Sequence, residues 1–138
     1  MRLGEDEARS RFAAARVARL ATVTGEGAPR LVPITFAVEG DLIYTAVDHK
    51  PKTTRRLSRL GNIAQNPRVA LLTDEYAEDW SRLWWVRVDG VANVVTDAGG
   101  LTHPIDALVA RYEQYAQHRP QGPLIVIRAT GWTGWAAA

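Results

Sequence analysis

The sequence predicts a mainly β, α+β domain built on a small antiparallel barrel, and three observations carry that expectation. Residues 19–24 (RLATVT), 30–38 (RLVPITFAV) and 42–47 (LIYTAV) read as strands. They are joined by two tight turns, Gly25-Glu26-Gly27 and Glu39-Gly40-Asp41, so the chain folds back as a meander and not as a βαβ unit. A long run at residues 83–95 (LWWVRVDGVANVV) then carries Gly90 in its middle, as a strand does where a small barrel turns a corner. With strands at 69–73 and 124–129 the count reaches about six, alongside three short helices, at the regular turn spacing of a barrel.

In chain order, residues 5–15 (EDEARSRFAAA) form a helix with acids in its first turn, where the dipole favours them. Phe12 and its neighbouring alanines pack that helix on the body. Pro33 interrupts the second strand and fits an edge or a bulge better than a central position. In the third strand, Leu42, Tyr44 and Ala46 face one way and Ile43, Thr45 and Val47 the other. Residues 48–52 (DHKPK) then make a basic turn. Thr53 or Thr54 can cap a helix whose apolar stripe is Leu57, Leu60, Ile63 and Ala64, and Pro67 closes the unit. The segment DEYAEDWS reads as an acidic, aromatic loop. A further helix spans residues 104–117, with Ile105, Leu108, Val109 and Tyr112 on one stripe and Tyr115 at its edge. His103 reads as a helix-start residue before Pro104, and His118 as a helix-end residue. Trp132 and Trp135, in the tail, cover the barrel end.

Composition bounds the function. At 138 residues, 46% apolar and 23% charged, the chain is expected to be one soluble domain, residues 1–138, with a sizeable core. A formal charge of +2 is too small to point to nucleic acid. Cysteine is absent, which removes disulfides, thiolate nucleophiles and zinc–thiolate sites. The charged N-terminus is unlike a secretory signal, and no window approaches the roughly 20 apolar residues of a membrane span, so a cytoplasmic location is expected. The histidines lack metal-ligand spacing, and no serine sits in a G-x-S-x-G setting.

The basic turn carries the sharpest functional signal. It holds the only two lysines, Lys50 and Lys52, in a chain that otherwise uses fifteen arginines. Lysines just before a capped helix N-terminus form an anion site with the free backbone N–H groups and the dipole. The same residues also describe a solvated basic surface helix.

The order of elements, from about residue 12 to 132, resembles the pyridoxamine 5′-phosphate oxidase-like flavoproteins, whose fold is a six-stranded antiparallel split β-barrel with short flanking helices. ARLATVT, the lysine turn with its helix and NPRV, and the DWS to VDG segment carry the likeness. Within that superfamily the chain is most similar to the actinobacterial branch that uses the deazaflavin coenzyme F420, and its arginine-rich composition suits a GC-rich genome. The resemblance implies cofactor contacts along the second strand, at Arg30, Val32, Pro33, Ile34 and Thr35. It implies Tyr44 and Thr45 beside the ribityl chain, and Lys50, Lys52, Thr53 and Arg56 at the phosphate. Pro51 departs from the pattern by separating basic residues that are adjacent in the oxidases. Trp80 matches an aromatic that covers the deazaflavin. Trp85, from the partner subunit, falls at a ring-edge polar position, where an indole cannot accept a hydrogen bond as oxidase chemistry would want.

The resemblance thus implies a homodimer with F420 at the subunit interface and hydride transfer to a small unsaturated organic substrate. FMN is the alternative cofactor, and a non-catalytic carrier the alternative role. Lys50, Lys52, Arg55, Arg56 and Arg59 suit the long acidic tail of F420. No catalytic residue is implied: a proton can come from water or from a tyrosine such as Tyr44 or Tyr76.

Overall fold

The computed structural model describes residues 1–47 and 54–138, and of residues 54–57 the backbone alone. The strands are β1 (Arg2–Leu3), β2 (Ala18–Val23), β3 (Pro29–Ile34), β4 (Ala37–Glu39), β5 (Leu42–Ala46), β6 (Arg68–Glu75), β7 (Trp84–Val95) and β8 (Leu124–Ala136). Helix α1 (Glu5–Ala14) precedes β2, α2 (Thr54–Gln65) lies between β5 and β6, and α3 (Ala98–Arg111) and α4 (Glu113–Gln117) lie between β7 and β8.

All strands join one sheet in the order β3-β2-β6-β7-β8-β5-β4, with β1 on the far half of β8. Every pairing is antiparallel. The two ends of that path, β3 and β4, are separated in sequence only by Thr35 and Phe36. Ile34 and Ala37 are three Cα steps apart and so stand at most about 11 Å from one another, which makes the sheet curl until its edges come close. The result is a barrel split at Thr35-Phe36.

The alternation of β-strand side chains fills the inside with Leu20, Ile43, Leu71, Val86, Val88 and Ile127, all at or below 1% exposure. Phe12 of α1 closes one side, 4.8 Å from the Phe36 ring and 5.7 Å from Trp132. A second cluster, Ala37, Tyr44, Ile105, Leu108 and Leu124, packs α3 on the outer face of β4, β5 and β8. Gly27 and Gly40, at φ 85° and 61°, make the turns before β3 and β5. At Gly90 the β7–β8 register shifts. A Cβ there would stand 2.7 Å from Ile127 Cγ2 and 2.9 Å from the Arg128 carbonyl oxygen, so the corner needs glycine.

The fold class matches the sequence expectation, and several element boundaries differ. Among the described residues eight strands stand where about six were expected, because the second strand breaks at Thr35-Phe36 and residues 2–3 add a short one. The tail expected to cover the barrel end continues β8 to Ala136, which brings Trp132 into the core. Strand β6 runs on through Asp74 and Glu75 into the segment read as a loop. Helix α3 starts at Ala98 and not at Pro104, because the Asp97 carboxylate caps it, accepting from the Gly100 N–H at 2.8 Å. His103 is therefore inside a helix, and the expected single helix divides at Tyr112 into α3 and α4.

Candidate functional site

Two adjoining clefts run along β3 and meet at Arg59. The larger, of about 720 Å³, lies between β3 and α2 and is lined by Thr22, Arg30, Leu31, Val32, Asn62 and Gln65 among others. Helix α2 is held opposite the strand by Ile63, which enters the core, and by Leu60, which packs against it. The Asn62 side-chain amide donates to Thr22 Oγ1 at 3.3 Å. The last turn of α2 rests on the β2–β3 turn, where a Cβ on Gly25 would collide with the Gln65 side-chain carbonyl. Ala64, expected on the apolar stripe, is exposed.

The floor of the groove is an unpaired strand edge. Among the described residues β3 ends the sheet and pairs with β2 alone. Next to it, in the same register, the Thr24 N–H donates to the Ala28 carbonyl at 2.9 Å, so the even-numbered residues face β2. Backbone groups alternate sides along an antiparallel strand, so those of Pro29, Leu31 and Pro33 face outward. The prolines lack N–H groups. The open edge therefore presents three carbonyls and one N–H, that of Leu31, whose side chain is 71% exposed.

The smaller cleft, of about 330 Å³, lies at the split and is lined by Pro33, Ile34, Thr35, Thr45, Arg59 and Tyr115 among others. Here a broken strand would leave backbone groups unpaired, and side chains satisfy them. Thr45 Oγ1 donates to the Thr35 carbonyl at 2.8 Å. The Phe36 N–H donates to the Tyr112 hydroxyl at 3.1 Å, and Arg111 donates to the Phe36 carbonyl at 3.1 Å and also to that of Ala15. The Tyr115 hydroxyl and Thr35 Oγ1 share a 2.7 Å hydrogen bond. Burial lowers the pKa of the Arg111 guanidinium, which also lies over the Phe36 ring at 4.9 Å.

On the far face of β5 the Tyr44 hydroxyl donates to Glu39 Oε1 at 2.8 Å, and His103 Nε2 approaches the same oxygen at 2.6 Å. Desolvation first, and the Glu39 carboxylate second, push the Tyr44 hydroxyl up to about 12. The hydrogen bond from His103 is the main cause holding Glu39 below the usual carboxylate range.

Of the residues expected at a cofactor, Arg30 and Val32 line the larger cleft and Pro33, Ile34, Thr35 and Thr45 the smaller. Tyr44, also expected there, lines neither cleft: strand alternation turns it away from Thr45 into the cluster under α3, only 3% exposed. Lys50, Lys52 and Thr53 lie outside the described residues, as does the side chain of Arg56. Trp80 is 73% exposed and is not among the described residues that line either cleft. Trp84 packs against the core while Trp85 faces outward, opposite Trp135 in register. Sequence reasoning missed Tyr112 and Arg111, whose roles depend on the strand break, and Asn62 and Gln65, which looked like polar surface. Tyr115 was placed only at a stripe edge.

Residues 5–136 match the family model described as pyridoxamine 5′-phosphate oxidase, and the chain belongs to that family. A search of curated proteins finds no match. Among solved structures, an FAD-binding protein from Mesorhizobium loti is similar at TM-score 0.76 and 21% identity, over 97% of this chain and 93% of that one. The FAD-binding protein from Mycobacterium smegmatis gives TM-score 0.70 and 18% identity, over 98% of each chain. The heme storage protein HutZ from Vibrio cholerae gives 0.65 and 19%, over 94% of each. The shared fold is the split barrel.

Proposed function

We propose that the groove along β3 binds a flavin-type cofactor, coenzyme F420, and that the protein is an F420-dependent oxidoreductase. In this reading it transfers a hydride between the deazaflavin and a small unsaturated organic substrate. The observation that carries the cofactor class is the open edge of β3. Offset by one group, the Leu31 N–H can donate to a ring carbonyl while a neighbouring strand carbonyl accepts from the ring N–H, so this edge suits a flavin or deazaflavin ring, where an N–H lies between two carbonyls. Two FAD-binding proteins among the similar folds support the same class.

Several features favour F420 over FMN. Arg59 stands where the two clefts meet, and Arg55, Arg56, Lys50 and Lys52 cluster beside it in sequence. That set suits a long acidic tail better than a single phosphate. By the resemblance, Trp85 falls where oxidase chemistry would want a polar group. The bound cofactor supplies the hydride chemistry itself. The chain's share is to hold the ring edge on β3, satisfy the tail charge and exclude water. Tyr44 is turned away from the groove, so a proton reaches a substrate from water or from a group outside its own cleft.

A second reading, a non-catalytic carrier, is favoured by one observation: among the described residues lining the two clefts there is no carboxylate or imidazole. An FMN enzyme is the third. Mixing the protein anaerobically with reduced F420 and a panel of enones, imines, quinones and nitro compounds separates the first two. Protein-dependent reoxidation supports the enzyme. Tight binding with no reoxidation by any acceptor supports the carrier.

The reading includes a homodimer. Leu72 and Trp135 remain 40% and 38% exposed on the outer sheet face, where Trp85 lies opposite Trp135. Burying that face between two copies removes an apolar patch from water and would let Trp80 and Trp85 reach the partner's groove. Sedimentation equilibrium of wild type against Trp135→Arg tests it: a dimer that becomes monomeric supports the reading, and a monomeric wild type rejects it.

A further inference from the structure

We propose that Tyr115, carried on α4, is a binding residue of the groove, and that with Thr35 it forms a hydroxyl pair that binds the polyol chain of the cofactor. The inference rests on the reading of the groove as a flavin-type cofactor site.

The geometry is specific. The Tyr115 hydroxyl lies 2.7 Å from Thr35 Oγ1, and either oxygen can be the donor. Both residues line the smaller cleft, and Thr45 lines it with them. Thr35 is held from two sides, through its own hydroxyl and through its carbonyl, which accepts from Thr45 Oγ1 at 2.8 Å. The ring of Tyr115 stands edge-on to Tyr112 with centroids 5.7 Å apart, and Tyr112 is itself bonded to Phe36. The pair is therefore fixed in place by the same contacts that close the split.

Hydrogen-bond bookkeeping identifies the ligand chemistry. Two hydroxyls carry two protons and four lone pairs between them. Their mutual bond uses one proton and one lone pair, which leaves one donor and several acceptor sites within one bond length. A carboxylate or phosphate uses only the donor and leaves the acceptors facing it. An ammonium uses only the acceptors. An alcohol uses both, because it donates and accepts at one atom. Reversal of the Tyr115–Thr35 bond lets the pair adapt to successive hydroxyls along a chain. Among the described residues that line this cleft Arg59 is the one charged side chain, and it also lines the larger cleft, which neither Tyr115 nor Thr35 does.

The test compares ligands that differ only in the polyol. Purified protein is titrated with riboflavin, which carries the ribityl chain, and with lumiflavin, which carries a methyl group in its place. Wild type, Tyr115→Phe, Thr35→Val and Thr35→Ser are measured by ligand fluorescence, with circular dichroism to establish folding. Expected are a loss of about three- to tenfold in riboflavin affinity for Tyr115→Phe and for Thr35→Val, the worth of one neutral hydrogen bond, and no change for lumiflavin. Thr35→Ser retains riboflavin affinity, since the hydroxyl is kept. Equal losses for the two ligands, or none for riboflavin, overturn the assignment while leaving the cofactor groove standing. Failure of wild type to bind either ligand or F420 overturns the groove reading and this inference with it.

Discussion

The Thr45 hydroxyl donates to the carbonyl of Thr35 at 2.8 Å, fastening β5 to the residue at which the sheet divides. From the other side Tyr112, Arg111 and Tyr115 reach the same two-residue break. The split is therefore a bonded structure with a cleft beside it, and its stability and the proposed ligand binding draw on the same side chains.

Tyr112→Phe is expected to destabilise the fold. The substitution keeps the ring and leaves the Phe36 N–H without its acceptor, beside a phenylalanine of 0% exposure. An orphaned buried donor costs about 1–3 kcal/mol, readable as a lower urea midpoint at unchanged slope. An unchanged midpoint would mean that water replaces the hydroxyl.

Gly90→Ala tests the barrel corner. The new methyl meets Ile127 and the Arg128 carbonyl, and the backbone cannot yield as a flexible side chain would. Overpacking of this kind costs roughly 1–3 kcal/mol. Gly61→Ala, with nothing near the added atom, is the control and should not destabilise.

The Tyr44–Glu39–His103 group gives two pH signatures with opposite signs. Tyr44 is held protonated up to about 12, above the value near 10 of a free tyrosine. Its stabilisation is intact below pH 10 and lost between about 10 and 12, so one of the four tyrosines should ionise last in an ultraviolet titration. That late ionisation should vanish in Tyr44→Phe. Glu39 is depressed, so its contribution is present above the usual carboxylate range and disappears as pH falls through its folded pKa. Wild type and Glu39→Gln should therefore converge in stability at acid pH.

Lys50→Ala with Lys52→Ala is expected to weaken F420 binding about tenfold or more while leaving the fold intact, since charge-assisted bonds to phosphate are among the stronger ones. A folded double mutant with wild-type affinity would remove the anion-site reading of this turn.

Much of this was legible in the sequence, for identifiable reasons. Strand alternation and glycine turns are local, so the meander, the Gly90 corner and the edge position of Pro33 could be read directly. The resemblance pointed to β3 and Thr45. What escaped reading depends on contacts distant in sequence. The break at Thr35-Phe36 exists because Arg111 and Tyr112, about 75 residues on, satisfy its backbone. Tyr44 was assigned to the cofactor beside Thr45, although alternation alone sends neighbours to opposite faces. The α3 start was hidden because Gly99-Gly100 looks like a loop until Asp97 caps it.

The central claim is that the β3 groove holds a deazaflavin. The most direct measurement is titration of purified, cofactor-free protein with F420 and, separately, FMN, followed by ligand fluorescence and tryptophan quenching. The expected result is tight F420 binding with weaker FMN binding. Preference for FMN would contradict the F420 assignment and move the protein to the FMN branch, and binding of neither would contradict the cofactor groove itself.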